Sequence, residues 1–480
     1  MQIVKNRTLN FSLACCTLAL GALSLGGCGY LKQRDMRANY NQYEQALAAG
    51  DLPGARKALM KVVRAQQDIP DYWMALGRLQ LQLGSYRGAY NAYEHAHELD
   101  RSNVEALAAM AQLALSSGEA ELATEHARSL ALIAPANPVI AIVHAYTDLQ
   151  AGNLDKAQTG LDGVLANDPN DAFATRLKAR VLLAKTQFDD AIALLEAQHR
   201  ATPNDKGTTQ NLAAMYKIRG DWRNLARVQY DAHRLDPKNL KTSRDAVEAF
   251  LRAGNVAAAN QLSTPLLQPT ANPQLVEDVL TLWADYAPAG TLLQDPRLAQ
   301  VASGERRVSF ANYYNRVGKP AVAAALLGKS RLPVTHDNAR WNAVFARSLV
   351  LQGHPADAKR LLDLVIDREP DQADALRARA ALEARTGLTR QSIIDAQRLI
   401  TVEPASPEDR LLLAQVFLAA GNRDEVRRTL WQAFQDLPYD ERVFSALKSV
   451  LGSTKDVDGQ RRLEGEYKDR RMAKLERDMV

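Results

Sequence analysis

DYWMALGRLQLQLGSYRGAYNAYEHAHEL, residues Asp71–Leu99, is the stretch from which the fold of this chain can be read. Gly84 divides it. A glycine takes the left-handed backbone conformation that ends a helix without the steric cost other residues incur, and Ser85 after it is of the type that caps a following helix. Five residues past the glycine, Ala89 is small enough to let two helices approach closely. The stretch therefore predicts a helix, a tight turn and a second helix packed antiparallel on the first.

The same punctuation recurs along the chain. Gly50, Gly84, Gly118, Gly152, Gly220 and Gly254 share one 34-residue register, with Thr186 in the vacant place, and Pro135, Pro169, Pro203 and Pro237 share that period. Gly318 begins a second run with Gly353, Gly387 and Gly421, and Pro370, Pro404 and Pro438 follow the last three glycines by 17 residues each. The residue after the register position is Asp51, Ser85, Asn153, Asp221, Asn255 or Asn422 in six of eleven cases, each a candidate helix cap. Alanine stands five residues past the register position except where Leu225, Ser392 and Val426 replace it, and looser packing is expected there. The prolines are expected to close the second helices, since they lack an amide hydrogen and clash with the preceding turn.

These positions resemble the tetratricopeptide repeat. Trp73, Leu76-Gly77, Gly84, Tyr86, Ala89, Tyr93 and Ala96 match its pattern most fully, with Arg101 where the family has proline. Leu212, Ala213, Tyr216, Gly220, Asp221-Trp222, Ala232 and Pro237 give a second match. The resemblance runs from about Asn39 to Pro438. It implies an all-α fold, a superhelical α-solenoid of about 11–12 antiparallel helix pairs with one irregular repeat in the middle.

The expected organisation is a leader at residues 1–27, a lipidated N-terminus and short linker at 28–38, an N-terminal array at 39–270, an irregular repeat or joint at 271–304, a C-terminal array at 305–440 and capping helices at 441–480. The irregularity is read from Gly254 and Gly318, which are 64 residues apart, four short of two repeats, with Pro265, Pro269, Pro273, Pro288 and Pro296 crowded between them. The last helix carries Arg461, Arg462, Arg470 and Arg471 among Glu464, Glu466 and Asp469, and is expected to be a solvated cap.

The N-terminus carries an address. Lys5 and Arg7 precede a 15-residue apolar run from Phe11 to Leu25, shorter than the roughly 20 residues that span a membrane as a helix, which reads as a cleaved secretory signal. Leu25-Gly26-Gly27-Cys28 then resembles the bacterial lipobox, in which the cysteine is lipidated and the chain is cut just before it. Cys15 and Cys16 leave with the leader on this reading, so Cys28 remains as the one thiol, without a disulfide partner in an oxidising compartment. Gly29 after the cysteine, rather than Asp, implies the outer membrane by the lipoprotein sorting rule. Several acyl chains anchor stably, since each buried methylene contributes about 0.8 kcal/mol. The expectation is a protein facing the periplasm, held to the outer membrane through its N-terminal lipid.

No enzyme is expected. The eight histidines form no HExxH spacing, and His95 and His97, two apart, fall on different sides of a helix. There is no GxSxG elbow and no cysteine beyond the lipobox. Gly328-Lys329-Ser330 lacks the first glycine of a phosphate loop and follows a helical stretch, so Gly328 reads as a helix stop. Asp456-Val457-Asp458-Gly459 is too short for a calcium loop. Neither metal nor cofactor is expected. The chain's formal charge is +5, and removing Lys5 and Arg7 leaves about +3, so compartment more than charge argues against nucleic acid.

In this family the first helix of each pair lines a concave groove, with ligand contacts at its second, fifth, ninth, twelfth and thirteenth positions. Counting back from each register glycine places Arg176, Arg180, Lys217, Lys241, Arg244 and Arg252 there, opposed only by Glu248, in the repeats starting at Ala172, Lys206 and Leu240. The repeats starting at Ala339 and Ala373 add Arg340, Arg347, Arg377 and Arg385 against Asp374. The N-terminal repeats offer Met74, Leu81, Leu115, Ile142, Tyr146 and Leu149 instead. The resemblance implies a non-catalytic interaction scaffold that holds protein partners, as peptide or helical segments, of an envelope assembly, secretion or export machine. An anionic polysaccharide is a second ligand class suited to a basic groove. The alternative function is an adaptor or regulatory subunit that recruits substrates to a periplasmic enzyme such as a protease or a polysaccharide synthase or export complex.

Overall fold

The structure, a computed structural model, describes residues 26–288, 291, 293 and 297–479, with the side chains of 26–35 and 297 left out. Residues 1–25 of the expected leader lie outside the described residues, and the lipidation site Cys28 is described by its backbone alone. The chain divides into two compact units, one ending at Asn167 and one beginning at Asp168. Among the described residues every regular element is a helix.

The first unit contains α1 (Gly26–Ala48), α2 (Leu52–Ala65), α3 (Pro70–Gln82), α4 (Tyr86–Leu99), α5 (Val104–Ser116), α6 (Ala120–Ile133), α7 (Pro138–Gln150) and α8 (Leu154–Asn167). The linker expected at 28–38 is instead part of α1, because no proline or glycine interrupts the chain between Tyr30 and Ala48. The second unit begins with α9 (Ala172–Ala184), α10 (Phe188–Ala201), α11 (Lys206–Arg219), α12 (Trp222–Leu235), α13 (Leu240–Arg252) and α14 (Val256–Leu266). It continues through α15 (Pro273–Tyr286), α16 (Arg297–Val301), α17 (Gly304–Arg316), α18 (Pro320–Leu327), α19 (His336–Leu351) and α20 (Pro355–Arg368). It closes with α21 (Ala373–Thr386), α22 (Thr389–Val402), α23 (Pro407–Ala419), α24 (Arg423–Asp436), α25 (Glu441–Ser453) and α26 (Val457–Asp478). Each odd-numbered helix packs on the even-numbered helix that follows it, apart from α15.

The turns obey the sequence. Gly84 has φ +72 with nothing within 4 Å of where a Cβ would stand, so backbone conformation rather than space demands glycine. Thr186, at the same register position, keeps the left-handed conformation at φ 61. Asp51, Asp221, Asn255 and Asn422 each accept the backbone N–H three residues on, as N-caps do, whereas Ser85 makes no such bond. Packing sets the remaining signature residues. A Cβ on Gly77 would stand 2.7 Å from the Tyr93 ring, so the Leu-Gly pair of α3 is what lets α4 close on it.

The register alanines, Ala55 through Ala358, are fully buried between the paired helices. The looser packing expected at the three exceptions does not appear. Ser392 is as buried as the alanines, its hydroxyl donating to the Ala380 carbonyl at 2.7 Å, and Leu225 and Val426 are buried as well. A polar staple also recurs with the repeat: His199 Nδ1 meets Thr209 Oγ1 at 3.2 Å, and His233 Nδ1 meets Ser243 Oγ at 2.9 Å.

The irregular repeat consists of the full-length α15, capped by Asn272, followed by a second helix reduced to the five residues of α16. Pro288, two residues past the end of α15, opposes its extension. Trp283 of α15 is fully buried, its Nε1 donating to Ser263 Oγ at 2.8 Å, and it shares one apolar core with Val279, Phe310, Tyr313 and Trp341. The segment is thus built into the core of the second unit.

The last helix differs from expectation. Much of its surface is solvated, but Leu463 is fully buried in the core of α23, α24 and α25, and Leu475 and the following Met479 are fully buried against Leu183, Leu212 and Met215 of α9 and α11. Arg471 donates to the carbonyls of Lys217 and Ile218, at 3.2 Å for Lys217. The second unit therefore folds its C-terminus back onto its own early repeats, where Leu475 and Met479, one helical turn apart, add apolar side chains at the end of a helix dense in charge.

Candidate functional site

A cavity of about 610 Å³ lies in the second unit, lined by α15, α17, α19, α21 and α23 and the turns that precede α21 and α23. Every one of these helices is the first of its repeat. Arg340 sits at its centre: Nε donates to Asp374 at 3.0 Å, Nη1 to Glu305 at 3.1 Å and Nη2 to Glu277 at 2.9 Å. Arg377 donates to Asp409 from Nε at 2.6 Å, to Asp374 from Nη1 at 2.9 Å and to Glu403 from Nη2 at 2.7 Å. Arg316 reaches Asp285 at 2.6 Å and Glu408 at 3.3 Å, and Arg347 lies 3.9 Å from Glu408 and bonds Asn312 at 3.3 Å. Those within hydrogen-bond distance are charge-assisted, the strong class of hydrogen bond.

The protonation states follow. Burial pushes the Asp374 carboxyl up, but Arg340 and Arg377 outweigh it and hold Asp374 below the usual aspartate range. Burial pushes Glu403 up, and there it wins, because the nearby carboxylates of Asp409 and Asp374 oppose the pull of Arg377. Burial likewise pushes Asp285 up against the pull of Arg316 and Arg442.

A smaller cavity, about 200 Å³, lies where α26 meets α11, α12 and α13. Arg252 lines it, sandwiched between the Trp222 ring at 4.2 Å and the Tyr286 ring at 4.0 Å, and bonded to Glu441 at 2.9 Å. Lys217 and, from the last helix, Arg471 and Lys474 complete its cationic lining, with Lys474 4.6 Å over the Tyr439 ring.

The sequence-predicted cations thus fall into three groups. Arg340 and Arg377 line the large cavity, with Arg347 bonded to its wall, and Lys217 and Arg252 line the small one. Arg176, Arg180, Lys241, Arg244 and Arg385 line neither. Arg176 pairs with Asp205 at 2.9 Å, Lys241 and Arg244 share Asp245 at 3.0 and 3.2 Å, Arg180 is half-buried and Arg385 is exposed.

The expectation that Glu248 alone opposes the first set is corrected: Asp205, Asp245 and Glu441 sit with them. Asp374 is likewise joined by Glu277, Glu305, Glu403 and Asp409. The reason is geometric. Stacked repeats place equivalent positions side by side, so Arg340 meets Glu305 35 residues before it and Asp374 34 residues after it. Looking one repeat to either side of Arg340 and Arg377 would have found Glu305, Asp374 and Asp409, but not Glu277, 63 residues from Arg340, or Glu441, 189 residues from Arg252.

In the first unit, Met74, Leu115, Ile142 and Tyr146, read as groove residues, are buried in the core, while Leu81 and Leu149 are half-buried. Among the described residues no group of three His, Cys, Asp or Glu could hold a metal ion, and no helix is long and apolar enough to cross a membrane.

Comparison with known proteins places this geometry. The family description "Tetratricopeptide repeat" matches residues 40–102 and 344–410, and "Psidin, N-terminal TPR repeats region" matches residues 142–276. These are tetratricopeptide repeats. Two curated relatives, both called cellulose synthase operon protein C, are similar to the tetratricopeptide array. That of Xanthomonas axonopodis pv. citri (strain 306) is 25% identical over 446 residues, covering 88% of this chain. That of Pseudomonas fluorescens (strain SBW25) is 25% identical over 365 residues, covering 68% of this chain. The chain spans 28% of the length of each relative. Among solved structures, yeast Tom70 is 14% identical with a TM-score of 0.30, covering 93% of this chain and 96% of that one. MamA protein is 15% identical with a TM-score of 0.29, covering 36% of this chain and 97% of that one.

Proposed function

We propose that this chain is a non-catalytic interaction scaffold, held at the periplasmic side of the outer membrane by lipid on Cys28, that organises the protein components of a polysaccharide-producing or exporting machine. The observation that carries the polysaccharide part is the similarity of 88% of the chain to a cellulose synthase operon protein. It favours, among adaptor roles, service to a polysaccharide synthase or export complex over service to a protease. The lipid anchor rests on Leu25-Gly26-Gly27-Cys28 alone.

The scaffold reading draws its support from tetratricopeptide repeats along both units and from a large cavity lined chiefly by the first helices of their repeats. Deleting the protein is expected to lower the surface or secreted polysaccharide without abolishing growth, and a Cys28→Ser variant is expected to move from the membrane to the soluble fraction. Unchanged polysaccharide in the deletion strain would remove the pathway assignment. Membrane residence of Cys28→Ser, with no acyl label on the wild type, would remove the anchor.

A further inference from the structure

The cavity of the second unit was expected from its arginines to attract anions. Its hydrogen-bond ledger says the opposite. A guanidinium has five N–H donors and no acceptor, whereas a carboxylate has about four acceptor sites and no donor. All three nitrogens of Arg340 and all three of Arg377 are already donating to carboxylates. Five carboxylates line the cavity against three guanidinia, a formal excess of two negative charges.

Exposure sharpens the asymmetry. The side chains of Glu305, Glu403 and Glu408 are 52%, 44% and 36% exposed, while those of Arg340, Arg316 and Arg377 are 30%, 16% and 13%. The cations are struts behind the carboxylates, fixing their positions, and the surface that meets an incoming group is acceptor-rich and negative. No aromatic ring lines the cavity among the described residues, which removes the stacking platform a neutral sugar would use.

We propose that this cavity receives a basic segment of a partner protein, an extended stretch whose lysine or arginine side chains dock between Glu305, Glu403 and Glu408. The inference rests on the scaffold reading for there being a protein partner, and it names that partner's chemistry. Burial pushes the Glu403 carboxyl up, and an ammonium delivered beside it would favour its charged form. Preorganised carboxylates bind such a group without reordering their own side chains.

The test uses the full chain in detergent and fluorescent hexalysine, with hexaglutamate and cellohexaose as competing probes. Hexalysine is expected to bind, with affinity falling as salt rises from about 0.01 to about 1 M and the Debye length shrinks from roughly 30 to 3 Å. The triple variant Glu305→Gln, Glu403→Gln, Glu408→Gln, which keeps side-chain size, is expected to bind about tenfold more weakly or worse. Removing three carboxylates elsewhere, with Asp189→Asn, Asp424→Asn and Asp458→Asn, at 81%, 94% and 94% exposure, is expected to leave binding nearly unchanged.

Equal losses in the two triple variants would overturn the proposal, as would preferential binding of hexaglutamate or cellohexaose. Independently of either triple variant, a photocrosslinker on Ser406→Cys at the cavity wall must label hexalysine, and failure to label it overturns the proposal. If the same crosslinker in cells captures partners through acidic or apolar segments, this inference falls while the scaffold reading stands. Normal polysaccharide in the deletion strain removes the pathway reading and leaves the basic-segment site intact.

Discussion

The first helices of consecutive repeats meet one another differently in the two units. In the first unit, Leu107, Met110, Leu115, Ile142 and Tyr146 of α5 and α7 are buried, and neighbouring helices meet through apolar side chains. In the second, Arg340 and Arg377 of α19 and α21 are linked to carboxylates of α15, α17, α21 and α23 and of the turn before α23. The repeat geometry is common to both, since stacking brings positions about one repeat apart together. What differs is the chemistry placed there. An apolar contact is tolerant of small shifts and holds its unit by burial; an ion-pair ladder is directional and leaves a polar cavity that a ligand can use.

That contrast breaks most sharply at Arg377. Its removal leaves Asp409, which is fully buried, and Asp374 without their shared cation, and breaking a buried ion network by one partner costs about 3–5 kcal/mol. Arg377→Ala is therefore expected to accelerate hydrogen exchange across α19 to α23 while leaving the first unit at its wild-type rates. Acceleration in both units would show that the ladder is not the local device described. The converse perturbation is Ile142→Ala, a fully buried apolar deletion expected to cost about 2–5 kcal/mol. Its effect should appear in the hydrogen exchange of α5 to α8 and be indifferent to salt, whereas Arg377→Ala removes an electrostatic term.

Two carboxylates on Arg377 carry opposite signs, and pH separates them. Asp374 has a depressed folded pKa, so the stability it contributes is fully present above the unfolded aspartate value of about 3.9 and is lost as pH falls through the folded value. Asp374→Asn is expected to cost roughly 1.5–3 kcal/mol at neutral pH, with the difference from wild type closing in strong acid. Glu403 has a raised folded pKa, so its ionisation costs stability at neutral pH, and that cost disappears as pH falls through the raised value. Glu403→Gln should therefore match or slightly exceed wild type at neutral pH, within about 0.5 kcal/mol, and lose any advantage in acid. Urea midpoints at the two pH values check both; a large neutral-pH loss in Glu403→Gln would mean its bond to Arg377 outweighs its burial.

Sequence alone reveals the repeats because they are written in local terms. Gly84, Ala89 and Pro135 each act within a few residues of themselves through backbone conformation, close approach or a missing amide hydrogen, and the helix hairpins follow. The site is less legible because its contacts skip a whole repeat. Arg340 is readable as a lining residue from its place in the register, but its partner Glu277 comes from α15, in the irregular repeat where the period slips. The return of Leu475 to Leu212 was less legible still, since nothing near residue 475 encodes the curvature that brings the chain end back. The acids of the large cavity are hard to read for the same reason: the arginines stand at their register positions, and most of their carboxylate partners lie elsewhere in the chain.

The turns, shared by both units, supply the smallest and most exact test of the common geometry. Thr186 holds φ 61 where the other ten register positions are glycine, and a left-handed residue with a side chain costs roughly 1–2 kcal/mol. Glycine would remove that strain but gives the unfolded chain more freedom, which takes back roughly 0.4–1 kcal/mol. The balance leaves Thr186→Gly more stable by about 0.5–1 kcal/mol, seen as slower hydrogen exchange at the ends of α9 and α10 and nowhere in the first unit. The helices themselves need no adjustment, because Thr186 N–H already donates to the Leu183 carbonyl at 2.9 Å and Gln187 N–H to Leu182 at 2.8 Å, as their counterparts do at Gly84 and Ser85. If Thr186→Gly instead destabilises the turn, the threonine side chain contributes an interaction there that outweighs its backbone strain, and the register would be held at that repeat by more than conformation.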